Sequence, residues 1–218
     1  MVTADLFNDL PDSNPQQLRL GEGALLLRGF VKDIDHMLLQ LIEEVVAQAP
    51  FRHMITPGGY TMSVAMSNCG SVGWVTDRSG YRYDAIDPES GRAWPALPAV
   101  FLDVAMRAAA CAGFENFVPD ACLINCYEPG TRLSLHQDKD ERDADAPIVS
   151  VSLGLPAIFL FGGAQRNVRP QRYPLQHGDV VVWGGPSRFN FHGIASIAEG
   201  LHPLLGSRRM NLTFRKAL

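Results

Sequence analysis

Two residues that can bind a metal stand two positions apart in His136-Gln137-Asp138. In an extended chain, residues i and i+2 face the same side, so both side chains can point at one ion. His192 is the best candidate for a third ligand. Two imidazoles and one carboxylate leave coordination positions open, which is the ligand set of non-haem iron(II) oxygenases. Because the H-x-D pattern is short and common, a second motif has to support a metal site.

The second motif runs from Arg209 to Arg215, near the end of the chain. Polar and apolar residues alternate, so Arg209, Asn211, Thr213 and Arg215 share one face of a predicted strand. This strand could lie at a sheet edge with its polar face in water, or its polar face could line the inside of a barrel. In the second case the buried arginines need anionic partners, which a small dicarboxylate would supply through bidentate contacts.

A third group alternates in the same way and shares one face of another predicted strand. It consists of Leu123, Asn125 and Tyr127. Asn125 and Tyr127 can donate hydrogen bonds to a carboxylate, while Leu123 can pack against its carbon chain. We therefore expect these residues to contribute to the same anion site.

The elements that must position these groups divide the chain into helices followed by strands. Asp33 is predicted to cap a helix that Pro50 ends, and a second helix is predicted from about Pro98 to Ala112. After Asp120 the pattern changes to short strands punctuated by glycines. The predicted strands are Ala24–Leu27, Leu123–Tyr127, Ile148–Leu153, Ile158–Phe161, Val180–Trp183 and Arg209–Arg215. This order indicates an α+β, mainly β fold, a barrel or sandwich braced by the N-terminal helices.

Between the two helices, residues 56–94 form a long segment of weak regularity. It contains a strand-like run, Tyr60–Met66, and the aromatic residues Trp74, Tyr81 and Tyr83. Such segments inside a compact domain are usually lids or binding loops. Taken alone, the three aromatic residues would be interpreted as core or surface side chains.

The length and composition predict one globular domain. The chain has 218 residues, of which 46% are hydrophobic and 19% charged. Residues 1–20 are expected to form a flexible leader, and residues 21–218 a single domain. The sequence has neither a run of eighteen apolar residues nor a secretion signal, so we expect no membrane contact and a cytoplasmic location. Nothing in the sequence suggests more than a monomer.

The charge distribution leaves the question of a nucleic-acid partner open. The net charge is −4, but the first fifty residues hold eight acids and three bases, so the remainder is close to neutral. Within that remainder, Arg166, Arg169 and Arg172 cluster. The charge therefore neither excludes nor requires a local phosphate-binding strip.

The four cysteines do not predict a disulfide framework. Cys69, Cys111, Cys122 and Cys126 include no C-x-x-C pair. In a chain of this length without a signal sequence, we interpret them as small buried residues.

Taken together, the motifs resemble those of the AlkB family of nucleic-acid dealkylases over nearly the whole chain. The resemblance is carried by Pro50–Arg52, Thr56–Val64, Pro119–Asn125, Leu133–Glu141, Pro147–Gly154, His177–Gly185 and Asn211–Arg215. It implies a double-stranded β-helix (jelly-roll) barrel at about residues 119–218 and a nucleotide-recognition lid at about residues 50–95.

The resemblance also implies a ligand set. Fe(II) would be held by His136, Asp138 and His192, which are thereby catalytic. The co-substrate 2-oxoglutarate would be bound by Asn125, Tyr127, Arg209, Asn211 and Arg215, with O₂ as the oxidant. Which arginine takes which carboxylate stays open.

Substrate residues are implied as well. An enzyme that modifies a base must take it out of the stack, and Trp74 is the expected stacking plate, with the His136 ring opposite. Asp140, two residues after Asp138, would favour a cationic N-methylated ring and take part in catalysis. A solvated acid is the alternative for Asp140. The other substrate-binding residues are expected to be Tyr81, Tyr83, Arg166, Thr56 and Tyr60, the last three near phosphates.

The implied reaction is oxidative dealkylation of bases such as 1-methyladenine and 3-methylcytosine. Single-stranded DNA is the expected substrate, with double-stranded DNA and RNA as further ones. 2-Oxoglutarate and O₂ become succinate and CO₂, and formaldehyde is released. Two alternatives remain: an oxygenase acting on a protein or small molecule, and a cupin-like binding module. Zinc could occupy the same ligands but lacks redox chemistry.

Overall fold

The computed structural model describes residues 16–218, which form two α-helices and thirteen strands. The helices are α1 (Asp35–Gln48) and α2 (Ala99–Cys111). The strands are β1 (Gln17–Gly21), β2 (Ala24–Leu27), β3 (Ala65–Gly70), β4 (Gly73–Asp77), β5 (Gly80–Asp84), β6 (Ala121–Tyr127), β7 (Leu133–His136), β8 (Ile148–Gly154), β9 (Ala157–Phe161), β10 (Gln171–Leu175), β11 (Val180–Trp183), β12 (His192–Ile194) and β13 (Arg209–Arg215). Most of the predicted leader lies outside the described residues. Its last part, residues 17–20, is not a leader but belongs to β1, which pairs with β2.

The two predicted helices are confirmed, but the expected cap of α1 is wrong. Asp33 lies in a short 3-10 turn, Lys32–Ile34, and Ile34 directly precedes the helix. The turn closes with a hydrogen bond from the Ile34 N–H to the Val31 carbonyl, so the helix begins one residue later than predicted. The Asp35 carboxylate accepts the hydrogen bond of the His36 N–H instead.

Most strands form two sheets that pack face to face as a jelly-roll barrel. The larger sheet has the order β1-β2-β11-β8-β13-β6-β3, and the smaller has the order β10-β9-β12-β7. Apolar side chains of both sheets meet between them, and the Phe159 and Trp183 rings lie 5.8 Å apart. The other face of the larger sheet packs against α1 and α2, with Phe101 and Phe214 in edge-to-face contact. The jelly-roll fold expected from the sequence is thus confirmed.

Strand β13 lies inside the larger sheet, between β8 and β6. Met210, Leu212 and Phe214 pack into the core on the helix side. All seven residues of the strand are buried, so Arg209 and Arg215 cannot point into water from a sheet edge. The edge-strand interpretation is therefore wrong, and the polar face of β13 lines the barrel.

The segment between the helices is more regular than the sequence indicated. The strand-like run predicted at Tyr60–Met66 begins only at Ala65, as β3. Strands β4 and β5 then form a hairpin in which Trp74 is paired with Tyr83. Single-sequence alternation did not reveal these strands because the pairing partners, rather than an apolar pattern, define them.

The cysteines divide into two environments. Cys69, Cys122 and Cys126 are buried in the core, as predicted, but Cys111 is exposed in the last turn of α2. The helix turns its apolar face to the sheet through Phe101, Val104 and Ala108, and Cys111 lies off that face. Within the described residues, no helix has the length and apolarity needed to cross a membrane.

Candidate active site

Three potential metal ligands converge at one end of the smaller sheet. His136 ends β7, His192 begins β12, and the two residues are directly paired across the strands. Asp138 follows two positions after His136, with its Oδ1 3.5 Å from His136 Nε2 and its Oδ2 3.7 Å from His192 Nε2. One ligand atom from each residue lies within 4.8 Å of the others. The predicted grouping of these side chains is present, and its spacing suits a single ion.

The ring orientations of both histidines and the neutral form of His192 also suit a metal. Nδ1 of His136 lies 2.9 Å from the Ser134 carbonyl, and Nδ1 of His192 lies 3.0 Å from the Asn190 carbonyl. A ring that donates from Nδ1 to a carbonyl keeps the lone pair of Nε2 for the centre of the cluster. Burial, together with the neighbouring His136, lowers the pKa of His192 to about 4, so this imidazole is neutral near pH 7.

The carboxylate of the cluster is held in its ionised form. Burial alone would raise the pKa of Asp138, but Arg215 and the two histidines hold it well below its usual range. Arg215 donates two hydrogen bonds to Oδ2 of Asp138, from Nη2 at 2.8 Å and from Nε at 3.0 Å. The arginine thereby fixes the carboxylate and leaves Oδ1 facing His136.

Arg209 has a different environment from Arg215. Its side chain is fully buried, and its guanidinium lies over the Tyr127 ring at 4.8 Å from the centroid. Nη2 donates to Ser152 Oγ at 3.0 Å, whereas Nε and Nη1 have no hydrogen-bond partner among residues 16–218. A buried guanidinium with two unused donors is unfavourable unless an anion accepts them. The barrel therefore fits a small carboxylate ligand beside the metal cluster.

The two asparagines differ in what they can offer such a ligand. Asn211 donates both amide hydrogens, to Ser150 Oγ and the Val151 carbonyl, and its Oδ1 accepts from Asn125 and Thr213. Asn125 Oδ1 has no partner within the described part of the chain. Asn211 thus orients Asn125, whose Nδ2 makes one hydrogen bond in the described structure and keeps its second amide hydrogen for a carboxylate ligand.

A cavity of about 540 Å³ joins these groups to the surface. Its walls include most of the side chains that the sequence analysis selected, namely Thr56, Trp74, Tyr81, Leu123, Asn125, Tyr127, His136, Asp138, Asp140, His192, Asn211 and Arg215. Arg209, Tyr60, Tyr83 and Arg166 are not among the lining residues. The same cavity is lined by residues that the sequence analysis did not select, such as Ser63, Arg132 and Lys139.

The hairpin β4–β5 forms the outer wall of the cavity. The rings of Trp74 and Tyr81 stack with centroids 5.7 Å apart and an angle of 18° between their planes. Nε1 of Trp74 donates a 2.8 Å hydrogen bond to Oδ2 of Asp140. Strand β7 ends at His136, and the irregular segment that follows it brings the Asp140 carboxylate to the cavity.

Three predicted substrate residues lie outside the cavity. Tyr60 is 78% exposed on the surface. Arg166 places its guanidinium over the Phe191 ring, 5.7 Å from the centroid. Tyr83 donates its hydroxyl to Glu141 at 2.6 Å, which directs it toward the protein interior.

A second H-x-D sequence shows how little that pattern specifies. In His177-Gly178-Asp179, the Nε2 of His177 lies 2.9 Å from Asp35, and Asp179 pairs with Arg28 at 2.6 Å. Among the described residues these side chains form no cluster with metal-ligand spacing. The tertiary structure, rather than the motif, distinguishes the two sites.

The fold and the side chains inside its barrel define a jelly-roll protein that can hold one metal ion beside a small carboxylate. A family model, the 2OG-Fe(II) oxygenase superfamily, matches residues 23–215. The chain is 57% identical over 213 residues to the alpha-ketoglutarate-dependent dioxygenase AlkB of Escherichia coli (strain K12), covering 98% of this chain and 97% of that protein. It is 33% identical over 174 residues to the DNA N(6)-methyladenine demethylase ALKBH1C of Arabidopsis thaliana, covering 68% of this chain and 38% of that protein.

Among solved structures, the fold matches OsALKBH1 with a TM-score of 0.79 and 30% sequence identity, covering 92% of this chain and 99% of that chain. The chain belongs to the AlkB family of the 2OG-Fe(II) oxygenase superfamily. It is accordingly an Fe(II)- and 2-oxoglutarate-dependent dioxygenase that uses O₂. The unused donors of Arg209 and the spacing of the His-Asp-His cluster fit that cofactor set.

Proposed function

We propose that this protein repairs N-alkylated bases in DNA, such as 1-methyladenine and 3-methylcytosine, by oxidising the alkyl group. The observation that carries the proposal is the Trp74–Asp140 pair on the wall of the cavity that holds the His-Asp-His cluster. A flat aromatic face and a carboxylate together favour a cationic methylated ring over a neutral base. The name of the Arabidopsis relative, a DNA N(6)-methyladenine demethylase, supports N-methylated bases in DNA as the general substrate class.

The residues of the barrel are proposed to hold the cofactors. His136, Asp138 and His192 would bind Fe(II), and Arg209 and Arg215 would bind the two carboxylates of 2-oxoglutarate. Asn125 and Tyr127 would orient the co-substrate, and Leu123 would pack against its carbon chain, while Asn211 fixes the Asn125 amide. With these groups bound, the iron centre supplies the oxidation that converts 2-oxoglutarate and O₂ to succinate and CO₂.

The cavity wall is proposed to place the alkyl carbon near the metal. Trp74, supported by the stacked ring of Tyr81, would cover one face of the flipped base, and the His136 ring would limit the other side. Hydroxylation of the N-alkyl carbon gives a hemiaminal, whose C–N bond breaks as formaldehyde leaves. Asp140, whose carboxylate has no arginine partner in the described structure, would accept the hydroxyl proton in that step.

The outer residues are proposed to contact the nucleic-acid backbone. Thr56 lines the cavity mouth, and Tyr60 and Arg166 lie on the surface, where they would meet phosphates. We propose a preference for single strands, since a single-stranded base carries no unpairing cost, with double-stranded DNA and RNA as further substrates. We also propose that the protein acts as a monomer in the bacterial cytoplasm.

Tyr83 is proposed to support the hairpin rather than to contact the base, because its hydroxyl donates a hydrogen bond to Glu141.

The test uses a single-stranded oligonucleotide bearing 1-methyladenine or 3-methylcytosine. The protein is loaded anaerobically with Fe(II) and 2-oxoglutarate, O₂ is admitted, and the oligonucleotide is weighed by mass spectrometry. We expect loss of one methylene unit, and no loss with Asp138→Ala. Succinate formation with an unchanged oligonucleotide would exclude the proposed substrate and favour an oxygenase acting on a protein or small molecule. Failure to bind iron would instead favour a cupin-like binding module.

A further inference from the structure

A carboxylate that belongs neither to the metal cluster nor to the cavity wall is buried directly behind them. The side chain of Glu141 is 2% exposed, and its two oxygens accept hydrogen bonds from Tyr83 and Arg188 and form an ion pair with Arg215. Oε1 accepts from the Tyr83 hydroxyl at 2.6 Å and lies 3.3 Å from Nε of Arg215. Oε2 accepts from Nη2 of Arg188 at 3.0 Å. A buried carboxylate with a hydroxyl donor and two guanidinium partners is held in one orientation.

Both arginines that meet Glu141 also hold Asp138. Arg215 donates to the Asp138 carboxylate, whereas Arg188 donates from Nη1 to the Asp138 backbone carbonyl at 2.9 Å. A third bond, from Nε of Arg188 to the Ala146 carbonyl at 2.9 Å, fixes the other side of this guanidinium. Arg215 thus holds the side chain of Asp138 and Arg188 holds its backbone. Glu141 contacts both arginines.

The two arginine charges beside Asp138 are balanced only when the carboxylate of Glu141 is counted. Arg188 and Arg215 face two carboxylates, Asp138 and Glu141, all of them buried. Without the Glu141 charge, two guanidinium groups would compete for Asp138. Arg215 would then be drawn toward Asp138 and away from any second anion in the barrel.

The hydrogen bond from Tyr83 links this cluster to the substrate side. Tyr83 is paired with Trp74 across the β4–β5 hairpin, so the strand pair that carries the stacking plate is tied to Glu141. Burial raises the pKa of the Tyr83 hydroxyl well above its usual range, so it stays protonated and acts as a donor. The Glu141 carboxylate therefore connects the hairpin, through Arg215, to the proposed iron ligand Asp138.

We infer that Glu141 is a positioning residue that acts through Arg215 and Arg188 to set the metal ligand Asp138 and the 2-oxoglutarate subsite, and that Tyr83 joins it to the substrate hairpin. The inference rests on the proposed roles of Asp138 and Arg215. It is independent of which alkylated substrate the enzyme takes.

The test compares Glu141→Gln with the wild type and with Glu43→Gln, an exposed glutamate on α1. A glutamine accepts hydrogen bonds at one oxygen only, so either Arg188 or the Tyr83 and Arg215 pair loses its acceptor. Binding of 2-oxoglutarate to the Mn(II)-loaded protein is measured by calorimetry. We expect Glu141→Gln to raise the Kd by on the order of tenfold, as is typical of groups that orient metal ligands, and Glu43→Gln to leave it unchanged.

A Glu141→Gln protein that melts at a lower temperature but binds 2-oxoglutarate like the wild type would reduce Glu141 to a structural role and overturn the inference. If this variant does not fold, Tyr83→Phe decides, because it removes only the hydroxyl that donates to Oε1. We expect Tyr83→Phe to raise the Kd by less than about tenfold relative to the wild type, and to lower the ratio of demethylated base to succinate. An unchanged Kd and an unchanged ratio in Tyr83→Phe would overturn the inference.

These outcomes separate the inference from the proposed function. Absence of 2-oxoglutarate binding by the wild type would contradict the proposed ligand roles themselves. Binding without demethylation of the oligonucleotide would contradict only the proposed substrate. In that case the calorimetric comparison of Glu141→Gln with Glu43→Gln still decides the role of Glu141.

Discussion

Trp74 donates its indole N–H to Oδ2 of Asp140 at 2.8 Å, across 66 residues of sequence. The bond fixes the plane of the indole at the cavity wall, and Tyr81 stacks on the same ring. The aromatic plate and the carboxylate proposed to recognise a methylated base are therefore one unit. Changes at Trp74 should affect both stacking and charge recognition.

Replacing Trp74 should separate these two contributions. Trp74→Ala removes the stacking face and should weaken binding of a methylated single-stranded oligonucleotide by about 1–3 kcal/mol. Trp74→Phe keeps a flat ring but frees Asp140, so we expect a smaller loss. Fluorescence anisotropy with methylated and unmethylated oligonucleotides measures both effects. Wild-type affinity in Trp74→Ala would remove Trp74 from the proposed site.

Arg209 should be required for binding 2-oxoglutarate, but its buried guanidinium should not stabilise the ligand-free protein. Arg209→Met removes the buried guanidinium that has two unused donors, and we expect the variant to melt no lower than the wild type without ligand. The increase in melting temperature that 2-oxoglutarate gives the wild type should disappear. Calorimetric scans with and without 2-oxoglutarate check this. A large loss of stability without ligand would show that Arg209 serves the fold.

The hydrogen bond between Asp35 and His177 should make stability depend on pH. Burial opposes the change, but the hydrogen bond from His177 lowers the pKa of Asp35 below its ordinary value. A lowered folded-state pKa contributes stability above the unfolded-state value, and this contribution is lost as the pH falls below it. Asp35→Asn should therefore destabilise the protein at pH 7, by on the order of 1 kcal/mol.

Urea unfolding of both proteins at pH 7 and near pH 3 measures this difference. We expect it to shrink at the lower pH, because the wild-type carboxyl is then approaching its neutral form. A difference that stays the same at both pH values would show that the charge of Asp35 contributes nothing.

Zinc should occupy the site without supporting the reaction. Zn(II) accepts imidazole nitrogens and carboxylate oxygens but has no redox chemistry. We expect added Zn(II) to raise the melting temperature and to stop succinate formation in competition with Fe(II). His192→Ala is the control, since it should reduce the thermal effect. Succinate formation by a fully zinc-loaded protein would contradict the proposed role of the metal.

The sequence by itself determined which side chains face together. The period of two along a strand places Arg209, Asn211 and Arg215 on one side, and Asn125 and Tyr127 on one side of another strand. The same spacing predicted that His136 and Asp138 point at one ion, and the two side chains do converge although β7 ends at His136. These relationships are local, so an unaligned sequence is sufficient to predict them.

Only the tertiary structure decided what each face meets. It places β13 inside the sheet, pairs His136 with His192, and joins Glu141 to Arg188 and Tyr83. It also separates the H-x-D sequence that forms a cluster with His192 from the second one, in which His177 is hydrogen-bonded to Asp35 and Asp179 is paired with Arg28. Strand pairing and buried hydrogen bonds connect residues far apart in the chain, and spacing along one sequence carries no record of those partners.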